Sequence, residues 1–196
     1  DGLGFAPGSG RNRFDGNATG VELTGRMQNQ HVVGNGVGVT GSGVLGGDDL
    51  AEANLIEGNG TGMRFTGTVQ FNRVAGNGIG IAATDNQLIQ HNVIYRNATA
   101  GVLADAAAVV RVIHNTVVST AGDNVRLTGG TRDVEVRNNV LWAEGGYDLY
   151  VAADSRAGFF SDYNVLHARG AGKVAFWVVP FDDVLDWQQD VFKFDL

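Results

Sequence analysis

Arg126, Tyr150, Asp123 and Asp148 are the residues of this chain with the strongest claim to chemistry. Together they would supply a cation for a carboxylated ligand, a ring on which a sugar can stack, and two carboxylates to act as a base or to hold calcium. Arg64 adds a second cation for ligand binding. The same groups also read as a solvated face with ordinary charge pairs between neighbouring strands. Gly47, Asp48 and Asp49 offer a further acid pair, without a partner motif. Hydrolysis of a glycosidic bond needs two carboxyl groups at a defined separation, and the spacing here predicts none. His31, His91, His114 and His167 are scattered, and no His-Glu-x-x-His, calcium nonapeptide or EF-hand spacing occurs. No metal centre and no cofactor are expected, with calcium on surface aspartates left open.

The elements that would carry these groups come from a repeat. The template is Asn-x-β-x-x-Asn-x-x-Gly-β, with β apolar and often branched, and it recurs eight times. Copies one to five hold Asn12, Phe14, Asn17, Gly20; Gln30, Val32, Asn35, Gly38; Asn54, Ile56, Asn59, Gly62; Asn72, Val74, Asn77, Gly80; and Asn92, Ile94, Asn97, Gly101. The last three drift: Asn115 and Val117 lead to Asn124 and Val125, Asn139 and Leu141 to Asp148 and Leu149, Asn164 and Leu166 to Gly172 and Val174. From Phe14 to Leu166 the equivalent positions are 18, 24, 18, 20, 23, 24 and 25 residues apart.

Within each copy apolar and polar residues alternate over short runs, which is strand periodicity. Three short strands and their turns use up one period, so each copy makes one coil of a solenoid. Coils pairing in parallel at about 4.8 Å give a rod roughly 40 Å long. Parallel crossovers are right-handed. The expected fold is therefore all-β, a single right-handed parallel β-helix of about eight rungs. Asn12, Asn54, Asn72, Asn92, Asn115, Asn139 and Asn164, with Gln30, are expected at a sharp corner, in the left-handed region, with their amides stacked as a ladder. His91 and His114 each precede a corner Asn. They should stack in one column with Phe71, Asn138 and Tyr163.

This pattern resembles the right-handed parallel β-helix, pectate-lyase-like superfamily over essentially the whole chain. GVLGGDDLAEANLIEGNG, residues 43–60, is similar to rungs of secreted or surface-attached bacterial β-helix proteins, and VPFDDVLDWQQ is similar to segments that close such helices. The resemblance implies a fold that hosts lyases, hydrolases, epimerases, adhesins and phage spikes. It also implies a ligand lying along the outer face of one sheet. The outward positions of the strand that begins at the repeat's Gly are Glu22, Thr40, Arg64, Ala82, Leu103, Arg126, Tyr150 and Ala175. TAGDNVRLTGGTRDVEVRNN, residues 120–139, resembles the Gly-Asp-Asp rung of polygalacturonase-type hydrolases, but Asn124 stands where the second Asp belongs. Neither Gly-His-Gly nor Arg-Ile-Lys follows, so hydrolase chemistry is not expected.

Composition narrows the partners. A net charge of −7 opposes nucleic acid, whose binding rests on Lys and Arg neutralising phosphates. No run approaches the roughly 18 apolar residues of a membrane span. With no Cys there is neither a disulfide framework nor a thiolate metal site. Asn17, Asn59 and Asn97 head Asn-x-Thr triplets, which the repeat itself accounts for. The chain begins at Asp1, as a processed product or an excised piece would. The middle strand faces outward with Arg13, Asp15, Glu57 and Arg73 early but Val93, Tyr95, Val118, Val140, Trp142 and Val165 late. Residues 1–176 are read as rungs, and 177–196 as a segment on the outside that covers this apolar stripe with Trp177, Phe181, Leu185, Trp187 and Phe192. Residues 1–11 contain no amphipathic helix to seal the first rung, so stacking on adjoining chain or on another copy is expected. The leading expectation for function is a non-catalytic extracellular or cell-surface module that meets a polysaccharide or surface glycan. A polysaccharide lyase, hydrolase or epimerase is the alternative, and an end-to-end structural module is the third.

Overall fold

The structure, a computed structural model, describes residues 10–191. Its simplest part is a sheet of eight short parallel strands: Arg13–Asp15, His31–Val33, Leu55–Glu57, Arg73–Ala75, Val93–Tyr95, Thr116–Ser119, Val140–Ala143 and Val165–Ala168. Each belongs to one coil, and the coils are numbered here by these strands. The register is constant: Phe14, Val32, Ile56, Val74, Ile94, Val117, Leu141 and Leu166 form one column. These side chains point inward, and all but Phe14 are buried. The chain is thus a right-handed parallel β-helix whose period follows the repeat.

The remaining strands form the other walls. In coils one to three a single long strand does this work, Thr19–Met27, Val37–Leu45 and Thr61–Gln70. Gly25, Gly43 and Gly67 lie side by side in these strands with φ between +105° and +126°. Only glycine reaches that backbone region without strain, so the long strand can bend there around the core. Later coils break the same path in two, as in Ala100–Asp105 and Ala108–Ile113, or Asp123–Thr128 and Arg132–Arg137.

The corner ladder is present with amide contacts of 2.9 to 3.1 Å. Asn54 Nδ2 donates to Asn72 Oδ1, and the chain continues through Asn92, Asn115 and Asn139 to Asn164. At its start Asn12 donates to Gln30, whose backbone N–H donates to Asn54. One detail of the expectation is corrected. The left-handed residue is the one before the ladder amide in six of the eight coils, namely Asn29, Phe71, His91, His114, Asn138 and Tyr163, with φ of 50° to 56°, while Ala53 before Asn54 keeps φ −58°. The strained residue makes the corner while the Asn, in ordinary backbone geometry, turns its amide inward. Stacking offsets part of that strain: Phe71 lies on His91 at 4.9 Å and His91 on His114 at 5.1 Å, with ring planes nearly parallel. Burial, and after it the neighbouring His114, hold His91 below the ordinary imidazole range.

A second ladder closes the other end of the short strand. Asn17, Asn35, Asn59, Asn77 and Asn97 pass amide hydrogen bonds along at 2.9 to 3.3 Å. Asn59 and Asn97 are buried, so their Asn-x-Thr triplets are scaffold. This ladder explains the glycine column Gly20, Gly38, Gly62, Gly80, Gly101. A Cβ on Gly80 would stand 2.5 Å from the Gly101 carbonyl and 2.9 Å from Asn97 Nδ2. Beyond Asn97 the ladder stops, and Asn124, Asp148 and Val174 continue the glycine column. The last coil is therefore shifted from the sequence expectation: Val174, not Gly172, holds the glycine position.

The C-terminal segment adds Pro180–Phe181, antiparallel to the last strand Lys173–Phe176, and the helix Val184–Val191. Trp187 of that helix is fully buried and joins the core with Phe181, 5.6 Å between ring centres. An antiparallel partner on the last strand removes a free sheet edge. The apolar stripe is not covered by the described residues: Val140, Trp142 and Val165 are 42%, 36% and 47% exposed, and Leu185 is 72% exposed. Phe192 lies outside the described residues.

Candidate functional site

The outward column that begins at the glycine position runs Glu22, Thr40, Arg64, Ala82, Leu103, Arg126, Tyr150 and Phe176. Phe176 replaces Ala175, which pairs with Leu149 and is buried. That one-residue shift puts an aromatic ring beside Tyr150.

Arg126 and Tyr150 do meet, since they sit opposite each other on adjacent strands. The guanidinium lies 4.0 Å over the Tyr150 ring, and Phe176 stacks on Tyr150 at 4.8 Å with planes 7° apart. Tyr150 is flanked on both sides and cannot offer a free face to a sugar. Arg126 also donates to Asp123 at 2.6 Å, and the other Asp123 oxygen accepts the Tyr147 backbone N–H at 2.9 Å. Each member of the cluster therefore already has a partner, and Asp123 is buried. Both Asp123 oxygens are thus engaged inside the cluster, one by the Arg126 guanidinium and one by a backbone amide.

Asp148 is not on this face. It fills the glycine column from inside, fully buried, and accepts from Asn124 Nδ2 at 2.7 Å. Burial pushes its carboxyl up to about 8, against the smaller opposing pull of Asn124 and a backbone hydrogen bond. Asp148 Oδ2 and Asn124 Oδ1 are both buried without a hydrogen-bond partner. A protonated Asp148 carries the one hydrogen the pair needs, because its hydroxyl can donate where a carboxylate can only accept. The acid pair noted at Asp48 and Asp49 is likewise structural: Asp48 holds Arg26, and Asp49 caps the turn Leu50–Glu52.

Arg64 is different. It is exposed and has no ion pair or side-chain hydrogen bond among the described residues. It stands at the edge of an open hollow of about 370 Å³ where the long strand first divides. Ala82 and Leu103 make the floor, Thr84 and Asp85 stand on the turn beside it, and Asp105 ends the strand Ala100–Asp105. Asp85 Oδ1 accepts the Ala108 N–H and Asp105 Oδ1 accepts the Thr128 hydroxyl, which fixes both carboxylates and leaves each a second oxygen for a ligand. Sequence reasoning named Arg64 but missed Asp85, on a turn, and Asp105, at a strand end, both outside the repeat template. Among the described residues no three His, Asp or Glu converge as metal ligands, and no helix is long and apolar enough to cross a membrane.

No curated protein and no solved structure matches this chain. The family model described as right-handed beta helix region matches residues 8–141, which is more than half of the 196 residues. With the parallel register and the amide ladders, that match makes the chain a member of the right-handed β-helix family.

Proposed function

We propose that this chain is a non-catalytic, glycan-binding module of an extracellular or cell-surface protein, and that its ligand lies in the hollow beside Arg64. The observation that carries this reading is an unpaired cation facing two anchored carboxylates across an apolar floor. Such a surface suits a hydroxyl-rich ring, with hydrogen-bonding edges and one apolar face. The non-catalytic half rests on the state of the other acids. Asp123 is tied to Arg126 and the Tyr147 amide, and Asp148 is enclosed in the core.

The test is a panel of uronate and neutral polysaccharides, read for binding and, in parallel, for 235 nm absorbance and new reducing ends. Binding without turnover is expected, and Arg64→Ala should weaken it roughly tenfold through loss of a charged hydrogen bond. Turnover of any polysaccharide would sink the module reading in favour of a lyase, hydrolase or epimerase. Assembly through the first coil is the second reading. It is favoured by one feature, that Thr19–Met27 is paired on one side only among the described residues, whereas Pro180–Phe181 occupies the edge of the last strand.

A further inference from the structure

The outer face of the short-strand sheet lies apart from the Arg64 hollow and has its own chemistry. Tyr95, Val118, Trp142 and His167 occupy one register position in coils five to eight. Trp142 meets His167 edge-on at 4.5 Å and remains open to solvent. Two shallow hollows of about 410 and 360 Å³ share Tyr95 and Arg96 as a common wall. Glu57 edges the first hollow, and Glu144 with Thr120 edges the second.

Arg96 is the informative residue. Its φ is +55°, and it occupies the corner that coils one to four fill with Gly16, Gly34, Gly58 and Gly76, all at φ of 62° to 72°. A residue with a Cβ is strained there, and glycine is not. The fifth coil nevertheless carries a cation at this corner, exposed and without an ion pair or side-chain hydrogen bond among the described residues. Nothing in the fold compensates the strain, unlike the corner residues that stack on one another.

We infer that this face is a second binding track, for an extended, hydroxyl-rich polysaccharide that lies parallel to the helix axis astride Tyr95 and Arg96. Tyr95 and Trp142 are two coil spacings apart, roughly 10 Å, a length that spans about two linked sugar rings. Ring faces can rest on Trp142 and the valine column beside Tyr95, whose hydroxyl accepts from Arg73 at 3.1 Å, while hydroxyls reach Arg96, Glu144 and the Glu57 oxygen that His31 leaves open. A second copy of this chain fits less well. It would bury Arg96 and the two carboxylates against an apolar surface, and each copy brings a charge of −7.

The experiment measures binding of short β-linked glucose, xylose and N-acetylglucosamine oligosaccharides to the full chain and to Arg96→Gly, Trp142→Ala and Arg64→Ala. Arg96→Gly should unfold at the same or a higher temperature, yet bind roughly tenfold more weakly. Trp142→Ala should show a similar loss, and affinity should rise with oligosaccharide length. The loss caused by Arg96→Gly should recur in an Arg64→Ala background, where the hollow has already lost its cation, which separates the track from the Arg64 hollow. The inference is overturned if none of the three sugars binds the wild-type chain, or if Arg64→Ala alone removes binding. It is equally overturned if sedimentation shows a dimer that Trp142→Ala dissolves.

Discussion

The buried Asp148 makes the stability of this protein depend on pH in a direction opposite to that of most carboxylates. Burial raises its folded-state pKa from the ordinary 3.8 to about 8. Below the unfolded value the acid is protonated in both states, and the folded chain keeps its full stability. As pH rises toward 8 the unfolded chain gives up this proton while the folded chain retains it, so stability falls at about 1.4 kcal/mol per pH unit. Between pH 5 and pH 7 the loss is about 3 kcal/mol, a sizeable share of the 5 to 15 kcal/mol that roughly bounds a domain's stability. Asp148→Asn removes the titration and keeps the size and the hydrogen bonds, because an amide can accept from Asn124 Nδ2 and donate to Asn124 Oδ1. The assay is urea unfolding of both proteins at pH 5, 6, 7 and 8. Other groups titrate alike in both chains, so the difference between them isolates Asp148. The variant should gain on the wild type steadily as pH rises. A difference that stays constant across the series would refute the argument that this acid is neutral and enclosed.

Two further substitutions probe the ladders. Asn92→Ala leaves the Asn72 backbone N–H and the Val69 carbonyl without their amide partner inside the core; at about 1–3 kcal/mol for each orphaned group, a loss of about 3 kcal/mol or more should appear in the denaturation midpoint. Gly80→Ala drives a methyl into the Gly101 carbonyl and the Asn97 amide; it should cost about 3 kcal/mol, whereas Gly130→Ala, with open space around its Cβ, should cost only its left-handed strain.

The solenoid was legible because every coil puts the same template position in the same environment. Ile56, Val74 and Ile94 recur in sequence since each fills the same slot against its neighbour above and below. The left-handed corner was placed one residue late, because Asn is the residue that tolerates it best and Phe71 or His91 looks like the wrong choice. Ring stacking along the axis, invisible in a single copy, reverses that preference. The second ladder was also within reach. Five glycines each three or four residues after an Asn signal an absent Cβ, and the absent Cβ signals an amide beside it. The candidate site was less legible for a different reason. Whether Arg126 is free depends on Asp123, three residues back, and on whether Ala175 or Phe176 faces outward, which a one-residue shift in the final coil decides.

These cases suggest how function can be separated from scaffold in a chain this regular. Departures from the repeat are common, and most carry their own compensation. Asn124 and Asp148 replace glycine only where the second ladder has ended and its space is vacant. Tyr163 takes a strained corner but receives Arg137 over its ring at 5.3 Å. Arg64 and Arg96 depart without any such return: one is an exposed cation at a hollow edged by Asp85 and Asp105, the other a cation at a glycine corner, and neither side chain has a partner within the described chain. An unpaired cation held beside a built hollow or at a strained corner is the signature expected of a residue whose partner arrives from outside. That criterion is what favours the proposed binding on the two outer faces where these arginines stand, whereas Arg126, Tyr150 and Phe176, which looked most like chemistry in the sequence, satisfy one another.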